Sequence, residues 1–217
     1  LASGVAEDKS SSELPSFDDA PPPKLSRANR PKEPPVSLVR KLKDLWLNYF
    51  SEHATDRVLL QAIQECPPKS ILEIGVGNLE RSLKMIELAQ RDGQTVSFTG
   101  VDLFEGRPKG VTPGVTLRLA HRELRAKGAS VRLLPGDPHA ALSRAANLIT
   151  QVDLVVIAAD QDADSLAKAW YFIPRMLSTS AKVFREELAT GKQPKTFRLM
   201  PTAEIAALAA RPHRRAA

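Results

Sequence analysis

The chain has 217 residues, room for one good hydrophobic core plus extensions. Hydrophobic residues make up an ordinary 42%, aromatics only 5%, so the core is expected to consist of Leu, Val, Ile and Ala, and the single cysteine, Cys66, excludes an internal disulfide. A net charge of +6 raises nucleic acid as a partner, while no apolar run reaches the roughly 20 residues needed to cross a bilayer and no basic-then-apolar signal peptide opens the chain, so a cytoplasmic protein with no membrane partner is expected.

Residues 1–36 carry seven of the 17 prolines and hardly any large apolar side chain, so they are expected to form a disordered arm. The arm also holds part of the basic excess, Lys24, Arg27, Arg30 and Lys32, and the last residues hold more, in Arg211, Arg214 and Arg215. Charges gathered in tails without interleaved aromatics do not favour nucleic acid. From Ser37, Leu38, Leu42, Leu45, Trp46 and Tyr49 make an apolar helical stripe, and Val58, Leu59, Ala62 and Ile63 a second one ending at Pro67-Pro68. These N-terminal helices, 37–68, either cover the core or lid its cleft. The core itself is expected over 69–210, with a basic tail over 211–217.

The stretch Ser70 to Glu80, SILEIGVGNLE, organises that core. Its first five residues read as a strand buried on both faces, Gly75-Val76-Gly77 breaks the strand, and Leu79, Leu83 and Ile86 follow at helical spacing. A glycine turn between strand and helix lets a ligand approach the backbone, with the helix N–H groups facing the same place. A dinucleotide fingerprint needs a third glycine where Glu80 stands, and a P-loop needs a Gly-Lys-Ser or Gly-Lys-Thr that is missing. Glu73, Gly75 and Gly77 instead resemble the first motif of class I S-adenosylmethionine-dependent methyltransferases, an acidic residue, one position, then Gly-x-Gly-x-Gly, with Leu79 replacing the third glycine.

Beyond the turn, strands are expected at 95–101, 130–134, 152–158 and 181–184, with helices marked by Leu117, Ala120 and Leu124, by Ala141, Ala145 and Leu148, and by Leu166, Ala169, Trp170 and Ile173. Such alternation predicts an α/β fold, a Rossmann-like doubly wound, mostly parallel sheet with helices on both faces. One further strand, 196–199, and an Ala-rich helix, 202–210, complete the pattern.

The resemblance implies S-adenosyl-L-methionine as cofactor, bound by Glu73, Gly75, Val76 and Gly77. Asp102 closes the second strand, where two carboxylate oxygens suit two ribose hydroxyls, and the family places its ribose-binding acid there. Leu103 inherits the apolar contact to adenine, and Asp137, in Gly136-Asp137-Pro138, a place near the adenine amino group; Asp137-Pro138 reads equally as a helix N-cap and first turn. His139 beside them reads as a surface residue. The fourth strand ends at Ala158, Ala159 and Asp160. Relatives with a metal have an Asp where Ala158 stands, so no metal is expected, and Asp160 is left as a substrate-side candidate. The implied activity is methyl transfer to an oxygen or nitrogen of a small molecule, with no general base legible. The alternative is a catalytically inactive Rossmann-like domain that binds the cofactor or a partner.

Overall fold

The computed structural model describes residues 56–108, 114–188 and 195–211, all within one compact unit, Lys41–Ala217. The arm expected over 1–36, the first helix expected from Ser37 and all but Arg211 of the tail expected over 211–217 lie outside them.

The first described helix, α1 (Arg57–Glu65), buries Leu59, Leu60 and Ile63 and ends as the chain enters Pro67-Pro68. Strand β1 (Ser70–Ile74) spans the expected residues, and β2 (Ser97–Asp102), β3 (Ser130–Pro135) and β4 (Val152–Ile157) differ from expectation by two residues at most. Between them stand α2 (Glu80–Ala89), α3 (Leu117–Ala126) and α4 (Pro138–Ala145).

Departures from the expected pattern follow β4. A single helix through Leu166 and Ile173 is expected, but the chain forms α5 (Ala163–Ala169) and α6 (Ile173–Met176), because Pro174 lacks an N–H and is tolerated only in a first turn. Strand β5 (Leu177–Glu187) is far longer than the 181–184 expected: its pairing with β4 slips between Val152 and Leu154, and that irregularity absorbs the polar Ser178-Thr179-Ser180. Leu148, expected on the helix, is past its end and exposed. Strand β6 (Thr196–Leu199) and α7 (Thr202–Ala209) close the described chain.

The six strands run in the order β3-β2-β1-β4-β5-β6, all parallel except the antiparallel β6. This is a Rossmann-like doubly wound sheet, and its order reverses between β1 and β4, where open α/β sheets form a crevice beyond the strand ends. Side-chain alternation splits the core into two clusters. Ile71, Phe98, Leu154, Val156 and Phe184 face α1, α2 and α3, whereas Leu72, Ile74, Val101, Val155, Ile157 and Val183 face α4, α5, α6 and α7. Since β1 is central, both of its faces are dry.

Candidate functional site

Gly75 and Gly77 both take positive φ, +91° and +64°, so the turn after β1 uses backbone conformations that a side chain disfavours. Gly75 sits at the switch point itself. A Cβ there would lie 2.6 Å from the Cβ of Ala158, which follows β4, and 2.5 Å from Nε2 of Gln161. Nothing lies within 4 Å of the corresponding position on Gly77. Leu79, where the motif has its third glycine, also holds positive φ, 73°, and is buried in the core.

Asp102, at the end of β2, binds the glycine turn directly: Gly77 N–H donates to its Oδ2 at 3.0 Å, and Phe104 N–H to its Oδ1 at 2.9 Å. Arg107 completes the shell as a fork, donating from Nε to Oδ1 at 3.0 Å and from Nη2 to Oδ2 at 2.6 Å. Burial pushes the Asp102 carboxyl up, but the Arg107 hydrogen bonds and the two backbone donors outweigh it and hold the group below its ordinary range.

A cavity of about 300 Å³ opens beside this carboxylate, lined by Asp102, Leu103, Arg107, Asp137, Asp160 and Gln161, among others. That volume is at the lower end of the range for small-molecule sites. Leu103 is half-exposed there, available to a flat ligand face. Asp137 serves as the α4 N-cap, accepting from Ala140 N–H at 3.0 Å, and also accepts from the Ser165 hydroxyl, the main reason its pKa is lowered. The helix-cap reading of Asp137 therefore holds together with its place on the cavity wall. His139 is tied by its backbone N–H to Ser165 Oγ, and its ring lies near Phe172 rather than lining the cavity. Asp160, 57% exposed, reaches within 3.6 Å of Arg107 Nη1.

Glu73, expected against a cofactor, is turned away from the cavity. It shares a sheet face with Ile71, so alternation points it at α2, where it accepts from Arg81 Nε at 2.8 Å and from Ser82 Oγ. It is fully buried, and burial pushes its carboxyl up while Arg81 and Ser82 pull it back. Val76 likewise puts its side chain into the core. Arg107 and Gln161, two prominent residues of the cavity, carry no sequence pattern that would mark them; only the folded turn after Asp102 brings Arg107 back to it. Among the described residues no cluster of His, Cys, Asp or Glu is arranged to hold a metal ion, and no helix is long and apolar enough to cross a membrane.

No protein-family model and no curated protein matches the chain. Solved structures match it in shape. A provisionally named O-methyltransferase of Nostoc punctiforme is 16% identical over 82% of this chain and 48% of its own, with a TM-score of 0.45. A Podospora anserina methyltransferase bound to S-adenosylhomocysteine is 19% identical over 70% of this chain and 62% of its own, at 0.45. A precorrin 8W decarboxylase of Methanobacterium thermoautotrophicum is 18% identical over 61% of this chain and 62% of its own, at 0.42. The chain thus spans about half the length of the first of these. Likeness at this level assigns no reaction and no residue role, and the fold rests on the strand order and register described above. It is the fold that the methyltransferase resemblance implies.

Proposed function

We propose that the chain binds S-adenosylmethionine at the carboxyl end of its sheet and transfers the methyl group to an oxygen or nitrogen of a small molecule. The observation that carries this reading is the joint between Asp102 and Gly77, a carboxylate fixed against a glycine turn at the topological switch point. The charge of the cavity supports it. Among the described lining residues four carboxylates, Asp102, Asp137, Asp160 and Asp162, stand with one guanidinium, Arg107, so this part of the wall is negative overall. A negative wall favours a sulfonium and opposes the pyrophosphate of a dinucleotide or a nucleic-acid backbone.

When bound, the cofactor would supply an electrophilic methyl group. In this reading Asp102 accepts from the ribose, Leu103 packs on the adenine, Asp137 stands near its amino group, and Gly77, with nothing within 4 Å of a Cβ position, leaves room along the backbone. Asp160, a cavity-wall residue with its side chain 57% exposed, is the candidate for contact with a small acceptor. Transfer depends chiefly on in-line placement of a docked nucleophile, so the reading does not require a general base among the described lining residues.

Calorimetric titration of the full chain with S-adenosylhomocysteine and, separately, with NAD tests the reading. Heat of binding from the first and none from the second is the expected result. Binding of NAD alone would replace methyl transfer by redox chemistry, and binding of neither would leave an interaction domain.

A further inference from the structure

Asp102 has no acceptor capacity left in this structure. An ionised carboxylate offers about four lone-pair sites, two on each oxygen. Phe104 N–H and Arg107 Nε occupy Oδ1, and Gly77 N–H and Arg107 Nη2 occupy Oδ2, all at 2.6–3.0 Å. The two backbone donors belong to the turns themselves, so a diol can reach the carboxylate only by taking the places of the two Arg107 donors.

Arg107 is both held and able to leave. Its stem runs against Gly114, where a Cβ would stand 2.8 Å from Nε, so the missing side chain at 114 makes room for the guanidinium. Its remaining Nη1 already points to a second carboxylate, Asp160 Oδ2 at 3.6 Å, a distance that a small rotation of the fork closes. Asp160 is far more exposed than Asp102, 57% against 2% for the side chains, so a guanidinium passed between them remains charge-paired while moving toward water.

Building on the proposed adenosyl ligand, we infer that Arg107 is a latch on the ribose site, displaced from Asp102 by the incoming diol and received by Asp160. The latch lowers affinity for any adenosyl ligand by the cost of breaking the Arg107 to Asp102 fork, and Asp160 recovers part of that cost.

The test is calorimetry of the full chain with S-adenosylhomocysteine, using wild type, Arg107→Gln, Asp160→Asn, the double variant and Gly114→Ala, each with a thermal melt. Arg107→Gln should bind about tenfold more tightly than wild type, because the diol then meets a free acceptor. Gly114→Ala, which crowds Arg107 without changing a charge, should also tighten binding. Asp160→Asn should weaken wild-type binding several-fold and leave Arg107→Gln unchanged, a coupling that an independent role for Asp160 would not produce. Equal or weaker binding by Arg107→Gln overturns the latch and leaves the cofactor reading standing. Absence of binding by wild type and Arg107→Gln alike, with both folded, overturns the cofactor reading and the latch with it. If Arg107→Gln does not fold, Gly114→Ala decides alone, and unchanged affinity there rejects the latch.

Discussion

Arg81, in the first turn of α2, reaches back across the glycine turn and donates from Nε to Glu73 Oε1 at 2.8 Å and from Nη2 to the Gly75 carbonyl at 2.8 Å. One guanidinium thus ties the strand, the turn and the helix together. Its guanidinium also lies over the ring of Phe197, 5.2 Å from the centroid, so the same residue reaches the edge strand β6 on the same face of the sheet. The acid of the motif is thus engaged by Arg81 and Ser82 in this structure. Through Arg81 it helps to fix the shape of the glycine turn.

Removing one member of such a pair leaves the other charge buried and uncompensated. Arg81→Met should lower unfolding free energy by about 3–5 kcal/mol, and Glu73→Gln by less, because Ser82 still has a partner. In urea melts the double substitution should cost less than the two single ones added together. Strict additivity would show that the two side chains do not act as a pair.

The glycines of the turn should separate by readout. Gly75→Ala must displace Gln161 and crowd Ala158 while holding φ at +91°, so both stability and ligand affinity should fall. Gly77→Ala meets nothing, and its cost is the left-handed backbone alone, about 1–2 kcal/mol. Melting curves with and without S-adenosylhomocysteine distinguish the two, and a larger stability loss at Gly77 than at Gly75 would contradict the packing described for the turn.

Leu79 shows where the sequence misleads. The motif places glycine there, and the backbone does take the left-handed conformation that glycine would favour, φ 73°, but the leucine is kept because its side chain fills the core. Leu79→Gly relieves about 1–2 kcal/mol of strain and gives up the burial of a leucine, worth about 2–5 kcal/mol with its cavity. Net destabilisation in a urea melt is expected, and a stabilised variant would show that the strain outweighs the packing.

The strands and the glycine turn were legible because apolar runs such as Ile71 to Ile74 and Val152 to Ile157 admit little besides a doubly covered parallel sheet. Asp102 and Asp137 were legible as strand-end residues. Matching Glu73 to the motif leaves alternation out: with Ile71 on the α2 face, Glu73 two residues on shares it and meets Arg81 and Ser82. Arg107 was out of reach for a different reason. Its pairing with Asp102 depends on the tight turn through Phe104, whose φ of 48° no local pattern announces.

The pH dependence of stability should carry the mark of Asp102. Its folded pKa lies below the ordinary 3.8, so its contribution is complete above that value and is lost as the pH falls through 3.8 toward the lower folded value. The difference in urea midpoint between wild type and Asp102→Asn should be flat near neutrality and shrink below about pH 4. A difference that grows on acidification would reverse the sign and reject the assignment.

The central claim is that the Asp102 carboxylate is the acceptor for the ribose of an adenosyl ligand. In wild type the loss of the Arg107 fork offsets the gain from the diol, so the role is read most directly with the fork absent. Titration of Arg107→Gln and of Arg107→Gln with Asp102→Ala by S-adenosylhomocysteine, below the melting point of each, isolates the acceptor. Two hydrogen bonds to a charged group, each worth roughly 1.5–3 kcal/mol, predict that affinity falls at least about tenfold in the double variant. Equal affinity of the two would contradict the claim and place the ligand elsewhere.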